Sequence, residues 1–192
     1  MATNRPVARR GEQTHGVRTT ARSAAVTGGL ILGLGLGGFI DGIFLHQIVQ
    51  WHNMGSAILP PTTMDAMSQN MRWDGLFHVA TLVLTVLGVV LMWREGRMGT
   101  APSSLRVLTG QMILGWGIFN LVEGVIDHHL LGLHHVRDMP AHVPAYDWTF
   151  LAVGGVLFII IGWFMSRTTT LAELPATRPT ESGDEGTGQP GQ

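Results

Sequence analysis

Histidine and acidic residues cluster in the middle of this chain. Eight of the nine histidines lie between residues 46 and 142, and five acids lie in or beside the same apolar segments. They are His46, His52, His78, His128, His129, His134, His135 and His142, with Asp41, Asp74, Glu123, Asp127 and Asp147. Imidazole and carboxylate groups bind Zn, Cu, Fe or Mn, and ionisable groups inside apolar segments usually mark a site or a pathway. The residue types therefore predict a divalent metal site without choosing the metal.

Position along the chain suggests a role for each member of the cluster. Asp41 and Glu123 lie deepest in apolar segments, so we predict that they are the central carboxylate ligands. We predict imidazole ligands at His46, His78, His128 and His129, and an outer shell or entry path at His52, His134 and His135. Asp74, Asp127 and Asp147 are expected as further ligands or as partners that fix the histidine tautomers.

Helical spacing refines this assignment. On an α-helix, residues four apart share a face, which groups Asp74 with His78 and Glu123 with Asp127. His46 lies five residues after Asp41, so an α-helix would turn it away from that carboxylate. Met64, Met67 and Met71 could add thioether ligands for copper, but their spacing is more typical of an interfacial helix.

Other functions fit the same cluster. The carboxylates could carry protons or ions across a membrane, although no charged group marks the cytoplasmic half of the spans. Two histidines on different helices could instead hold a b-type haem. The polar groups could also simply pair with one another in a structural subunit of a membrane complex.

The elements that position the cluster are four apolar runs, at residues 24–45, 76–93, 107–122 and 148–165. Each approaches the 17–25 residues that a helix needs to cross a bilayer. Charged residues make up 13% of the chain, about half the usual fraction of roughly 25% in soluble domains. We therefore predict an all-α integral membrane protein, a four-helix bundle surrounded by the lipid bilayer.

Composition and charge placement set the organisation of the chain. There is no Cys, which excludes thiol chemistry, and the net charge of −1 gives no reason to expect nucleic-acid binding. We predict disordered tails at residues 1–23 and 167–192 around a membrane domain at 24–166. Ten of the twelve basic residues, all Arg, lie in the tails and the 94–106 connection. This bias predicts a multi-pass inner-membrane protein with both termini cytoplasmic.

The chain also matches itself at an offset of 82 residues. Gly33 falls on Gly115, and the polar residues Asp41, His46 and His52 fall on Glu123, His128 and His134. We therefore predict two tandem helix-hairpin repeats, about 24–93 and 106–166, related by an axis along the membrane normal. Gly29, Gly33 and Gly37 form G-x-x-x-G steps, which predict a close helix–helix contact. The oligomeric state and any partner in a membrane complex stay open.

Three long motifs resemble a known family. GGFIDGIFLHQIVQWHNM, NMRWDGLFH and FNLVEGVIDHHLLGLHHVRD are similar to the motifs of bacterial predicted membrane proteins grouped as domain of unknown function 2243. The resemblance covers about residues 24–165. It implies a membrane location, and it carries no established activity, substrate or catalytic residue.

Overall fold

The computed structural model describes the backbone of residues 15–167 and the side chains of residues 28–167. The predicted tails at 1–23 and 167–192 lie mostly outside this range. Four long helices make up the described chain. Helix α1 is α-helical over His15–Asp41 and π-helical over Gly42–Ile48, and α2 spans Met64–Arg97. Helix α3 is α-helical over Leu105–Glu123 and π-helical over Gly124–Leu130. Helix α4 is α-helical over Pro144–Thr149 and Phe158–Ser166, with π-helical Phe150–Leu157 between them.

All four helices are long and apolar enough to cross a membrane. Within residues 15–167 the regular structure is entirely helical, without a β-strand. A helix satisfies its own backbone hydrogen bonds, which is the requirement for crossing hydrocarbon. For the described residues, the prediction of an all-helical chain with four helices able to span a membrane is thereby confirmed.

Helices α1 and α3 pack against each other at the centre of the bundle, with α2 against α1 and α4 against α3. Glycines permit the central contact. A Cβ atom at Gly33 would clash with the Met112 carbonyl oxygen, and one at Gly115 would clash with that of Leu30. The predicted close contact at the G-x-x-x-G steps is confirmed, and its partner is α3.

The interior of the bundle is polar. Among the residues with described side chains, fourteen buried ones are polar or charged, whereas the buried apolar ones are Ala66, Val107 and Val136. Large apolar side chains such as Leu76 point outward, where lipid would surround them. Burial of polar groups away from lipid is therefore a main feature of the packing.

Two connections cover the same end of the bundle, residues 49–63 between α1 and α2 and residues 131–143 between α3 and α4. They bond to each other through the backbone: Ala57 N donates to the Leu133 carbonyl at 3.0 Å, and Asp138 N donates to that of Trp51 at 2.9 Å. Asn70, which is fully buried on α2, holds the first connection by accepting from Gly55 N and donating to the Leu59 carbonyl.

Candidate metal centre

The π-helical turns at the ends of α1 and α3 bring together residues that are five apart. A π-turn bonds residue i to residue i+5, so its turns are wider than those of an α-helix. His46 Nε2 accordingly lies 3.6 Å from Asp41 Oδ2. His128 and Glu123 belong to one group of potential ligand atoms in the same way. The expectation that His46 faces away from Asp41 was wrong, because it assumed α-helical spacing.

Three imidazoles meet beneath the two connections. His46, His52 and His134 are at most 2% exposed, and each offers one ring nitrogen within 4.8 Å of the others. The ring centroids of His46 and His52 are 4.4 Å apart, and those of His52 and His134 are 4.6 Å apart. The group therefore draws on a helix end and on both connections.

Backbone carbonyls fix the tautomers of His52 and His134. His52 Nδ1 donates to the Val136 carbonyl at 2.9 Å, and His134 Nδ1 donates to the Met54 carbonyl at 3.2 Å. A carbonyl can only accept, so the proton is on Nδ1 and the Nε2 lone pair is free. Burial lowers the pKa of His134 to about 4 and holds the pKa of His52 well below its ordinary value. Both rings are therefore neutral at pH 7.

A carboxylate orients the third ring. His46 Nδ1 lies 2.9 Å from Asp74 Oδ1, which also accepts from Met54 N at 2.8 Å. The other oxygen of Asp74 accepts from Asn53 Nδ2 at 2.7 Å. A carboxylate on the far nitrogen of an imidazole is a common partner of metal-bound histidine, because it fixes the ring and raises its basicity.

Two acidic side chains face the imidazoles from the central helices. Asp41 is 7% exposed and Glu123 is 4% exposed. Asp41 Oδ2 and both Glu123 oxygens lack a hydrogen-bond partner, as do the Nε2 atoms of His46, His52 and His134. Glu123 Oε1 lies 3.6 Å from His134 Nε2, beyond hydrogen-bond distance. These five side chains thus form two buried groups of potential ligands, His46–His52–His134 and Asp41–His46–Glu123, which share His46.

A second, more exposed group adjoins this one. His135 Nδ1 and His142 Nε2 lie 3.1 Å and 3.0 Å from Asp147 Oδ2. Asp147 Oδ1 lies 3.5 Å from Nδ1 of His128, whose ring centroid is 4.8 Å from that of His134. His128 therefore lies between the exposed group and the buried one.

Matching hydrogen bonds recur on the two sides of the centre. Met54 N donates to Asp74, and Val136 N donates to Asp147, both at 2.8 Å. Met54 and Val136 are 82 residues apart and also supply the carbonyls that accept from the two connection histidines. Just before them, the π-turn bonds Val49 N to Phe44 O and Leu131 N to Ile126 O follow the same offset.

The structure separates the predicted ligands into two sets. Asp41, His46, Glu123 and His128 contribute to the buried groups, together with His52 and His134, for which the sequence predicts an outer shell or entry path. His78, His129 and Asp127 lie outside the potential metal-binding groups of the described chain. Asp74 holds His46, while His135 and Asp147 form the exposed group with His142.

Local contacts explain why His78 and His129 are apart from the centre. His78 Nδ1 donates to the Asp74 carbonyl at 2.8 Å, and its side chain lines a cavity of about 440 Å³ beside His46. His129 is exposed, donates to the Gly124 carbonyl at 2.8 Å, and lies edge-on to Trp148. The sequence left open which of His128 and His129 points inward, and the structure has His128 as the inward ring.

One buried acid was missed. Glu95 is 2% exposed near the opposite end of α2 and accepts from Gly28 N at 3.1 Å. The prediction that no charged group marks the cytoplasmic half of the spans did not take Glu95 into account, because the apolar run stops at residue 93 whereas the helix continues to Arg97. A helical projection extended by one turn would have found it.

The helices and the buried cluster together define a helical, multi-span membrane protein with a polar interior. The chain belongs to the predicted membrane protein family DUF2243, whose sequence model matches residues 28–169. All the candidate ligands lie within the matched region. No match was found among the curated proteins or among the solved structures.

Proposed function

We propose that this protein binds a divalent transition-metal ion within its membrane bundle. The ligands are the Nε2 atoms of His46, His52 and His134 with the carboxylates of Asp41 and Glu123. The observation that carries the proposal is the shared state of the three imidazoles. Each is buried, each has an oxygen partner on Nδ1, and each directs an unpaired Nε2 atom toward the others.

Charge balance supports a cation at this position. Asp41 and Glu123 are buried, and the salt-bridge contacts of the described acids are all with histidine, none with arginine. An unpaired buried charge costs several kcal/mol even after the protein relaxes. A divalent cation offsets two carboxylates fully, and imidazole nitrogens are common partners of such a cation.

The spacing of the ligand atoms is also suitable. Adjacent ligands of a tetrahedral ion with bonds near 2.0 Å lie about 3.3 Å apart. The ligand atoms of the His46–Asp41 pair and of the His134–Glu123 pair are each 3.6 Å apart. A small movement of the two side chains of a pair toward each other would place both atoms at bonding distance from a shared ion. These distances are too long for hydrogen bonds, yet they are close to those of two ligands sharing an ion.

The donor set favours a bare ion over haem. A porphyrin occupies four coordination positions and leaves only two axial positions for the protein. Here three imidazoles and two carboxylates form overlapping groups of potential ligands, which is more than haem requires. Nitrogen and carboxylate oxygen without thiolate suit Zn, Fe, Mn or Cu(II).

We further infer that the bundle consists of two tandem helix-hairpin repeats with the metal ion at their interface. The support comes from the 82-residue offset that relates the two π-turns and the paired loop hydrogen bonds. The arginine bias supports a bacterial inner-membrane location with both termini cytoplasmic. The centre would then lie at the extracytoplasmic side.

Elemental analysis of the detergent-purified full chain tests the metal proposal. We expect about one equivalent of a transition metal in the wild type and in the His129→Ala variant, whose changed ring lies outside the buried group. In His52→Ala/His134→Ala we expect the metal to be lost. Far-ultraviolet circular dichroism would verify that the double variant keeps its helices.

The opposite result has a clear meaning. If the wild type holds no metal after dialysis against Zn²⁺, Mn²⁺, Fe²⁺ and Cu²⁺ in turn, the proposal is wrong. The adjacent Asp41 and Glu123 would then need a shared proton to offset their charge, as in a proton pathway.

A further inference from the structure

The exposed group of His135, His142 and Asp147 has the geometry of a second metal site. One ligand atom from each lies within 4.8 Å of the other two. The His135 and His142 side chains are 23% and 40% exposed, and their rings stack with centroids 3.8 Å apart. His135 Nδ1 has no hydrogen-bond partner. An ion arriving from solvent would therefore meet His142 first, because its side chain is the most exposed of the three.

This exposed group is connected to the buried centre. Asp147 contacts the exposed pair with Oδ2 and directs Oδ1 toward His128. His128 is 3% exposed, and both its ring nitrogens lack a hydrogen-bond partner. It also forms a potential ligand group with Glu123 and His134. An ion leaving Asp147 would meet the unpaired nitrogens of His128 before it reaches the buried ligands.

The other half of the molecule lacks such an exposed group. At the offset of 82 residues, His135 corresponds to Asn53, and His142 corresponds to Pro60. Asn53 Nδ2 donates to Asp74 Oδ2 much as His135 approaches Asp147 Oδ2. In the first half, an amide is therefore sufficient to hold Asp74 in place. The two exposed imidazoles exceed what the structural role requires.

We propose that His135, His142 and Asp147 form a surface site that captures a divalent transition-metal ion and passes it through His128 to the buried centre. The proposal rests on the proposed function, because it supplies the route by which that centre is loaded. The two sites differ in strength. The surface site has three ligands, of which the His142 side chain is 40% exposed, and it exchanges its ion quickly, whereas the five ligands of the buried centre are all buried.

Cobalt titration of the metal-free, detergent-purified full chain tests this route, with Co²⁺ as the probe. The test variant is His135→Asn/His142→Gln, since Asn already occupies the equivalent position 53. His129→Gln is the control, because this exposed ring belongs to neither group. Equilibrium dialysis measures stoichiometry, and stopped-flow absorption measures how fast the buried centre is loaded.

We expect the wild type and the control to bind one tight and one weak equivalent. The test variant should keep the tight equivalent, lose the weak one, and load about tenfold or more slowly at micromolar Co²⁺. The reason is that an ion held beside the buried centre has an effective concentration on the order of millimolar. Unchanged stoichiometry and loading rate in the test variant would overturn the surface site.

A second variant separates this outcome from a failure of the proposed function. His46→Ala/His52→Ala removes two ligands of the buried centre and leaves the exposed group intact. We expect it to lose the tight equivalent and to keep the weak one. If the wild type shows only a weak equivalent, and only the His135/His142 variant removes it, the surface site stands and the buried centre does not.

Discussion

At the scale of single residues, the partner of each Nδ1 atom decides which histidines can serve the centre. His52 and His134 bond to carbonyls of the opposite connection, which leaves their Nε2 atoms facing inward. His78 and His129 bond to carbonyls of their own helices, which directs them away from the centre. All four have the same chemistry, and only the position of an acceptor oxygen distinguishes them.

Asp74→Asn tests the role of the carboxylate that orients His46. We expect metal affinity to fall about 10- to 100-fold, because an amide does not raise the basicity of the imidazole as a carboxylate does. The amide oxygen can still accept from Met54 N, so the fold should be retained. Competition with a chelator of known affinity measures the change.

Asp65→Asn is the matched control, since Asp65 is exposed in the first turn of the same helix, nine residues before Asp74. Equal affinities for both variants would show that Asp74 only supports the loop.

The sequence alone predicts that the centre consists of histidines and acids, but it identifies only some of the residues that form it. Asp41, His46, Glu123 and His128 could be chosen because acids and histidines within or directly after apolar runs are costly. His52 and His134 could not, because they lie on irregular connections whose path depends on contacts between the two halves of the chain. Nothing in the local sequence specifies those contacts.

At the scale of helices, the π-turns explain the largest difference between expectation and structure. The apolar runs were long enough to predict all four spans. The prediction for His46 assumed the rotation of an α-helix, about 100° per residue, which directs His46 away from Asp41. The π-helical turn over Gly42–Ile48 is wider and directs His46 toward Asp41. The same kind of turn recurs over Gly124–Leu130. Hydropathy does not reveal a π-turn, because inserting one changes the direction of side chains and not their polarity.

Gly33→Ala tests the contact between the two central helices. The added Cβ would clash with the Met112 carbonyl oxygen, which belongs to the rigid backbone of α3. We expect a loss of stability of about 1–3 kcal/mol, as for overpacked cores, seen as a lower midpoint of thermal unfolding in detergent.

Gly75→Ala is the control, because a Cβ there meets nothing within 4 Å. Alanine should leave that helix unchanged or stabilise it by up to about 1 kcal/mol. A midpoint for Gly33→Ala equal to the control would contradict the tight contact.

At the scale of the whole molecule, the bundle has an apolar exterior and an interior of polar side chains and glycines. The membrane location followed directly from composition, because four long apolar runs with few charges have few other solutions. The orientation across the membrane depends on arginine placement alone and needs its own test.

Single-cysteine variants provide that test, since the chain contains no cysteine. Thr62 lies just before α2 and Ser103 lies after it, so the two residues are at opposite ends of this span, and both are exposed. In intact spheroplasts, we expect a membrane-impermeant maleimide to label Thr62→Cys and to label Ser103→Cys only after lysis. The reverse pattern would place the centre on the cytoplasmic side.

The crossed bonds of the two connections have a consequence for the origin of the protein. His52 bonds to the Val136 carbonyl and His134 bonds to that of Met54, so each half orients the ligand of the other. The segment that joins α2 to α3 lies outside these bonds. On the proposed duplication, an ancestral gene for one hairpin would have sufficed, because two identical copies could exchange these bonds across a twofold axis. On the same proposal, fusion of the two genes would have left each half free to change, which accounts for Asn53 in one half and His135 at the equivalent position of the other.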